Sequence, residues 1–427
     1  MKDYSIYKNQ NFFLNHLIFF LISSIPISII LGPAVSLTVI VAICFSYIII
    51  NLKSAYFLYL KKKEIILLFA LYFYLLLNSA ISIDPSISID RNFGFIRFIF
   101  FFLATNFLFY KYSSSNKIFK YWSIIFIIFV IDVFIERYTG SNIFGFGKIM
   151  IDGISQPDGP RVMSFFKDEP ISGAFMTGFI FIISGYFFSI FEKKNYNKIY
   201  PLLLILIFIF AILITGERSN FLKVLLGFFL FIFITDFIQL RKKFLFFIIL
   251  ITVFIGSMIF SDYIKLRYYK QVYLSLADKE KREKFMNHFY IKLYKSGFAV
   301  YKNYPFLGVG NKNYRVETCN AKKKEKNLKY DCSTHPHQVY FELLSEHGII
   351  GTIIILSVLF YLIFRMLRHI FLSKNYIQAG AFTYLVINFI PILPGGAFFN
   401  DFNLTLFMIN FSLIYAINKE TNIFQKK

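Results

Sequence analysis

The sequence lacks the signatures of several common enzyme chemistries. It has no P-loop, no GxGxxG pattern and no other glycine-rich phosphate loop, so nothing supports nucleotide-dependent chemistry. It has no internal repeat. It also lacks the apolar–polar alternation that a soluble domain of 427 residues would need, since 57% of its residues are hydrophobic and they fall in uninterrupted runs. Cysteine is scarce, at three residues. Cys44 lies in an apolar run, whereas Cys319 and Cys332 bracket a short basic stretch. In an oxidising compartment such a pair forms a disulfide. The competing arrangement, a metal cluster of Cys332, His335 and His337, would need a thiolate and a fourth ligand that is not evident nearby.

Apolar runs near twenty residues match the hydrocarbon thickness of a bilayer. The fold class is therefore an all-α polytopic membrane protein with about twelve transmembrane helices. The expected spans begin near Phe13, Ala34, Ile65, Phe93, Trp122, Ile171, Ile199, Ser219, Phe244, Ile349, Tyr376 and Phe402. The first has no small-residue cleavage site and is expected to stay as an anchor.

Basic residues fix the orientation. With both termini cytoplasmic, the inside loops carry Lys61, Lys62 and Lys63, then Lys111, Lys117 and Lys120, then Arg241, Lys242 and Lys243, among others. The opposite short loops carry almost none, as the positive-inside rule requires. Residues 1–260 are thus expected to hold nine spans, with a short outward segment at about 137–170. Residues 261–338 form a large outward loop with 17 Lys or Arg against 7 Asp or Glu, and 339–427 hold a helix entering the last three spans and a cytoplasmic tail. The inside lysines are explained by topology alone; the outward excess suits an anionic partner held by arginine forks. Membrane lipid accounts for part of it, and nothing points to nucleic acid.

Four outward stretches hold polar residues close to the membrane. In "PDGPRVMSFFKDEPISGAFM", Arg161 follows a turn, and Asp168, Glu169 and Pro170 suit a helix start; a capped helix with a solvated arginine competes with an anion site. In "TGERSNFLKVLLG", Arg218 is pinned between two helices, with Ser219 and Asn220 available as caps. Lys223, one turn deeper, is read as snorkelling to the interface. "YPFLGVGNKNYR" reads as a tight structural turn, with Arg315 a further anion-site candidate. In "HPHQVYFELLSEHGIIG", Pro336 is expected to place His337 in the first turn of a helix, where the dipole favours the neutral imidazole and backbone N–H groups can hold phosphate oxygens. Gln338, Glu342 and Glu346 share one stripe of that helix, beside His335. A charge pair between spans would explain Arg97, Asp132 and Glu136.

These stretches, in this order, resemble the O-antigen ligase and polymerase family of bacterial inner-membrane glycosyltransferases. The likeness runs from about residue 150 onward, and the His-x-x-x-x-Glu helix before Gly-x-x-Gly is its most specific part. It implies a GT-C-like helical fold with one large periplasmic loop, a donor glycan on undecaprenyl diphosphate, and no metal or other cofactor. The acceptor it implies is lipid A–core for a ligase or a growing glycan for a polymerase. It assigns catalytic roles to His337 and Glu342 and donor diphosphate binding to Arg161 and Arg218. Gln338 stands where the family has Asn. The family's arginine some fifteen residues before Pro305 is missing, leaving His288, Lys292 or Arg282 to stand in. A transporter for an anionic lipid or solute is the rival of another class, but its charges would line a midplane path, and here they cluster toward one face.

Overall fold

The computed structural model describes residues 12–52, 61–111, 116–146, 161–167, 169–273, 289–320 and 329–425. Among these residues the regular secondary structure is entirely helical. The first part comprises α1 (Phe12–Ser23), α2 (Ile25–Leu31), α3 (Pro33–Leu52), α4 (Lys63–Ala80), α5 (Pro85–Gly94), α6 (Ile96–Lys111) and α7 (Asn116–Thr139). Next come α8 (Ser172–Lys193), α9 (Ile199–Thr215), α10 (Arg218–Ile234) and α11 (Leu240–Phe260). After a π-helical turn at Lys265–Tyr273 follow α12 (Phe289–Asn303), α13 (Tyr314–Thr318), α14 (Val339–Phe364), α15 (Leu367–Ser373), α16 (Tyr376–Ile387) and α17 (Asp401–Ala416).

Each of the twelve expected spans coincides with a helix or a helix pair. By length and composition, however, seven are long and apolar enough to cross a membrane, or eight when α1 and α2, bent by 54°, count as one span. The other four are shorter: α9 and α10 have 17 residues, α17 has 16 and α16 has 12. At 1.5 Å per residue α16 is only about 18 Å long, well under the hydrocarbon thickness of about 30 Å. The apolar runs that suggested full spans continue past these helix ends into loops such as 388–400, which folds over the site described below.

Burial divides the helices by role. α8 packs most extensively against α16 and is buried along most of its length. Gly185 lies against the backbone of Tyr376 and Ile377, and Gly380 against that of Phe181, so the two helix backbones meet where a Cβ would not fit. α11, by contrast, buries only Lys243, Phe246 and Leu250. It exposes Phe244, Ile248, Ile251, Ile259 and Phe260. An apolar exposed face of that extent is a surface for lipid.

Candidate active site

Two buried acids near the end of α7 build the segment that carries Arg161. Met163 N–H donates to Glu136 Oε1 at 2.9 Å, and Ser164 donates its N–H to the Glu136 carboxylate and its Oγ–H to Asp132. Ile143 N–H donates to Asp132 Oδ1 at 2.9 Å. These acids therefore do not pair with Arg97, contrary to expectation. Arg97 and Arg91 instead share Asp401, the first residue of α17. The backbone N–H of Val162 then donates to the Thr215 carbonyl at 3.1 Å, which brings Arg161 to the C-terminal end of α9.

That end is where the cations gather. Gly216 closes α9 in the left-handed conformation, at φ 78°, and Arg218 opens α10. The expected capping by Ser219 and Asn220 does not occur. Ser219 Oγ–H donates to the Pro394 carbonyl, and Asn220 Nδ2–H donates to Glu217 Oε2 at 2.7 Å. Glu217 also accepts the Gly173 N–H at 2.5 Å. Burial pushes its carboxyl up to about 7, while the Gly173 N–H, Asn220 and Arg161 each pull the other way. Arg267, only 1% exposed, donates from Nη2 to the Gly216 carbonyl at 2.6 Å. The Arg137 guanidinium lies 3.3 Å from the ring centroid of Tyr263. Arg137, Arg267 and Arg161 all act electrostatically on Tyr263, and Arg218 and Arg161 on Arg267. Three guanidinium groups thus surround Tyr263, and a fourth, that of Arg218, faces Arg267, with the buried Glu217 carboxyl beside them. Sequence reasoning missed Arg137 and Arg267. Arg267 carries the same signal as Arg218, an arginine just past the end of a helix, but it sits in an outward loop whose many other basic residues hide it.

His337 does not lie in the first helical turn. Gln338 is the N-cap of α14, accepting from the N–H groups of Tyr340 at 2.8 Å and Phe341 at 3.0 Å, so His337 precedes the helix. His337 adopts φ 57°, a left-handed conformation that histidine tolerates better than most residues. Its carbonyl accepts the Gly395 N–H at 2.8 Å. Its ring sits 4.0 Å from the His335 ring, centroid to centroid, and within 6 Å of Phe289 and Tyr290 of α12. Burial lowers the pKa of His337, and burial with the neighbouring His337 lowers that of His335 to about 4, so both rings are neutral at pH 7. Because Pro394 accepts from Ser219 and Gly395 donates to His337, adjacent residues of one loop link the start of α10 to the histidines. Glu342 lies beneath, 2% exposed, and both its oxygens accept the Phe398 N–H, at 3.0 and 2.9 Å.

"YPFLGVG" proves to be part of the same construction. α14 breaks at Gly348, where φ is 61° and ψ is −171°. Into the break runs the chain at 305–310: Ile349 N–H donates to the Pro305 carbonyl at 2.8 Å, Val309 N–H to Ser345 at 3.0 Å and Gly310 N–H to Glu346 at 2.8 Å. Only glycine serves at 348, because a Cβ there would meet the Phe306 backbone as well as the left-handed strain. Asparagines then tie this turn to the early helices. Asn311 N–H donates to Asn78 Oδ1 at 2.8 Å, Asp84 N–H donates to Asn313 Oδ1 at 2.8 Å, and Asn311 Nδ2–H donates to Asn92.

Residues 203–356 match the family model described as O-antigen ligase. This part of the chain is an O-antigen ligase family domain. The match starts later than the expected likeness, so Arg218, Arg267, Arg315, His337 and Glu342 fall within it while Arg137 and Arg161 precede it. No curated protein matches the chain.

The remaining site residues expected from the sequence are dispersed. Arg315 is exposed and acts on Lys312 together with Arg91 and Asp401, so it belongs with the Asp401 cluster rather than with the Tyr263 cluster. Lys292 is exposed on α12. Asp168, Arg282 and His288 lie outside the described residues. Cys319 and Cys332 form a disulfide, with Cα atoms 4.5 Å apart, so Cys332 has no thiolate for a metal beside His335 and His337.

Proposed function

We propose that this O-antigen ligase family protein is an inverting glycosyltransferase. It moves a glycan from undecaprenyl diphosphate to a hydroxyl of lipid A–core at the periplasmic face of the bacterial inner membrane. The observation that carries the proposal is the convergence of Arg161, Arg218 and Arg267 at the helix end that the 394–395 loop links to His337. The guanidinium groups neutralise the diphosphate as its charge develops. The neutral imidazole of His337 takes the acceptor proton as the hydroxyl oxygen attacks the anomeric carbon, and the carbon–oxygen bond to the diphosphate breaks with its electron pair leaving on undecaprenyl diphosphate. Glu342 acts as a positioning residue: its grip on Phe398 N–H holds the loop whose Gly395 fixes the His337 backbone.

The test is reconstitution of purified protein with a lipid-linked oligosaccharide and lipid A–core, scoring release of the carrier diphosphate. His337→Ala and Arg218→Ala, properly inserted, are expected to lose transfer, and normal transfer by both would overturn the proposal. A deletion strain separates ligase from polymerase, the alternative in which repeat units are joined on the carrier. A core without any glycan supports the ligase, and a core bearing one repeat supports the polymerase.

A further inference from the structure

A cavity of about 90 Å³ lies directly beneath the loop that holds His337. Its wall includes Asn220 and Lys223 of α10, Asn388 after α16, Asn403 of α17, and Gly395 and Gly396 of the loop. That volume exceeds what a single ordered water requires. Lys223 is 8% exposed, buried inside the protein rather than extended to the surface as snorkelling would have it. Its Nζ lies so near Gly395 that a Cβ at that position would stand 3.3 Å away. No carboxylate lines the cavity, and among the described residues Lys223 forms no ion pair or hydrogen bond. A buried ammonium without an acid is costly, and such groups persist where a ligand supplies the missing charge.

The surroundings narrow the ligand class. The amide nitrogens of Asn220, Asn388 and Asn403 each donate one hydrogen within the protein, to Glu217, to the Tyr384 carbonyl and to the Ala397 carbonyl, and each keeps a second N–H that an oxyanion could accept. Leu393, Leu406 and Phe407 also line the cavity and make part of its wall apolar, as suits a headgroup whose tail continues into lipid. Ser219, one turn above Lys223, holds Pro394, so the cavity lies next to the arginine cluster rather than apart from it.

We infer that Lys223 and this cavity form a second oxyanion subsite that takes a phosphoryl group, deeper than the four arginines and continuous with them. The inference rests on the donor reading above and extends it: the arginines and Lys223 would hold different phosphoryl groups of one lipid diphosphate, or the same group before and after its release. A free phosphate in the cavity has the same chemistry, and the test separates the two sources.

The full chain is placed in nanodiscs of neutral phosphatidylcholine and titrated with inorganic pyrophosphate, and in parallel with undecaprenyl phosphate added to the disc. Binding is read by ligand-induced shift of the melting curve. Lys223→Met is expected to weaken binding at least tenfold while Lys223→Arg stays within about threefold of wild type. Without ligand, Lys223→Met is expected to melt at or above wild type, because it replaces an unpaired buried charge by an apolar side chain of similar size. A Lys223-dependent response to the lipid supports a headgroup site, and one to pyrophosphate alone supports a site for free phosphate. If Lys223→Met binds like wild type while Arg218→Ala does not, the subsite falls and the donor reading stands. If Lys223→Met and Lys223→Arg both melt well below wild type without ligand, the lysine is structural and the inference is overturned. A wild-type protein that responds to neither probe overturns both readings.

Discussion

Gly395 donates its backbone N–H to the carbonyl of His337 at 2.8 Å. That bond joins the loop between α16 and α17 to the residue just ahead of the α14 cap, and it fixes His337 in a conformation it would otherwise rarely adopt. Gly395→Ala is expected to crowd the Lys223 ammonium and tilt the loop. Transfer rate should fall about tenfold while the melting temperature moves by no more than a few degrees. Rates unchanged in the reconstituted assay would show that the loop does not govern His337.

The neutral histidines set the acid side of the pH profile. Burial lowers the pKa of His337 below its ordinary 6.5, so the base form predominates at pH 7 and is lost as the pH falls further. The acid limb of kcat/KM should therefore lie below pH 6.5, and residual activity of His337→Gln should lose that limb. Stability follows the same sign, since a depressed histidine contributes stability above its unfolded pKa that disappears as pH falls.

Glu217 works in the opposite direction. Its folded pKa is raised to about 7 from 4.5, so the folded state favours the protonated form. The stability it contributes is complete below about pH 4.5 and is lost as pH rises through about 7. Glu217→Gln keeps a hydrogen-bonding group without the charge. Its melting temperature relative to wild type should rise steadily between about pH 5 and pH 8. A difference that stays constant over that range would refute the assignment.

Arg267 is buried yet charged, and it donates to the carbonyl that ends α9. Arg267→Met is expected to lower kcat/KM at least tenfold, by removing one of the guanidinium groups around Tyr263. Arg267→Lys should recover only part of that loss, because an ammonium cannot reproduce the planar fork. Equal activity of all three proteins would remove Arg267 from the site.

The Cys319–Cys332 disulfide ends three residues before His335. For a loop of 13 residues' separation the chain-entropy model gives about 3 kcal/mol of stabilisation. Cys332→Ser, or reduction, should lower the melting temperature and slow transfer, with the effect of reductant absent in the double variant lacking both cysteines.

Hydrophobic run length made the helical membrane architecture readable, and Arg161, Arg218 and His337 drew notice because ionisable residues at apolar boundaries stand out. The number of spans was less legible, since an apolar run records burial without saying whether the partner is lipid or protein. α16 is almost wholly buried by neighbouring helices and is too short to span. The local geometry of His337 was misread because Pro336 resembles a first-turn residue, whereas the Gln338 side chain takes the cap. Lys223 and Arg267 could not be placed from sequence, because their meaning comes from loops distant in the chain. Glu342 was found as a motif acid, but its link to Phe398 spans 56 residues and has no sequence signal.

The asparagine network that fastens 311–313 to α4 and α5 has a practical corollary. The family-matched region, 203–356, borrows part of its rigidity from side chains more than a hundred residues upstream of it. Expressed by itself it would leave Asn311 and Asn313 without their upstream partners and the inserted turn unsupported. The matched region and the scaffold that supports it are therefore different lengths of this chain.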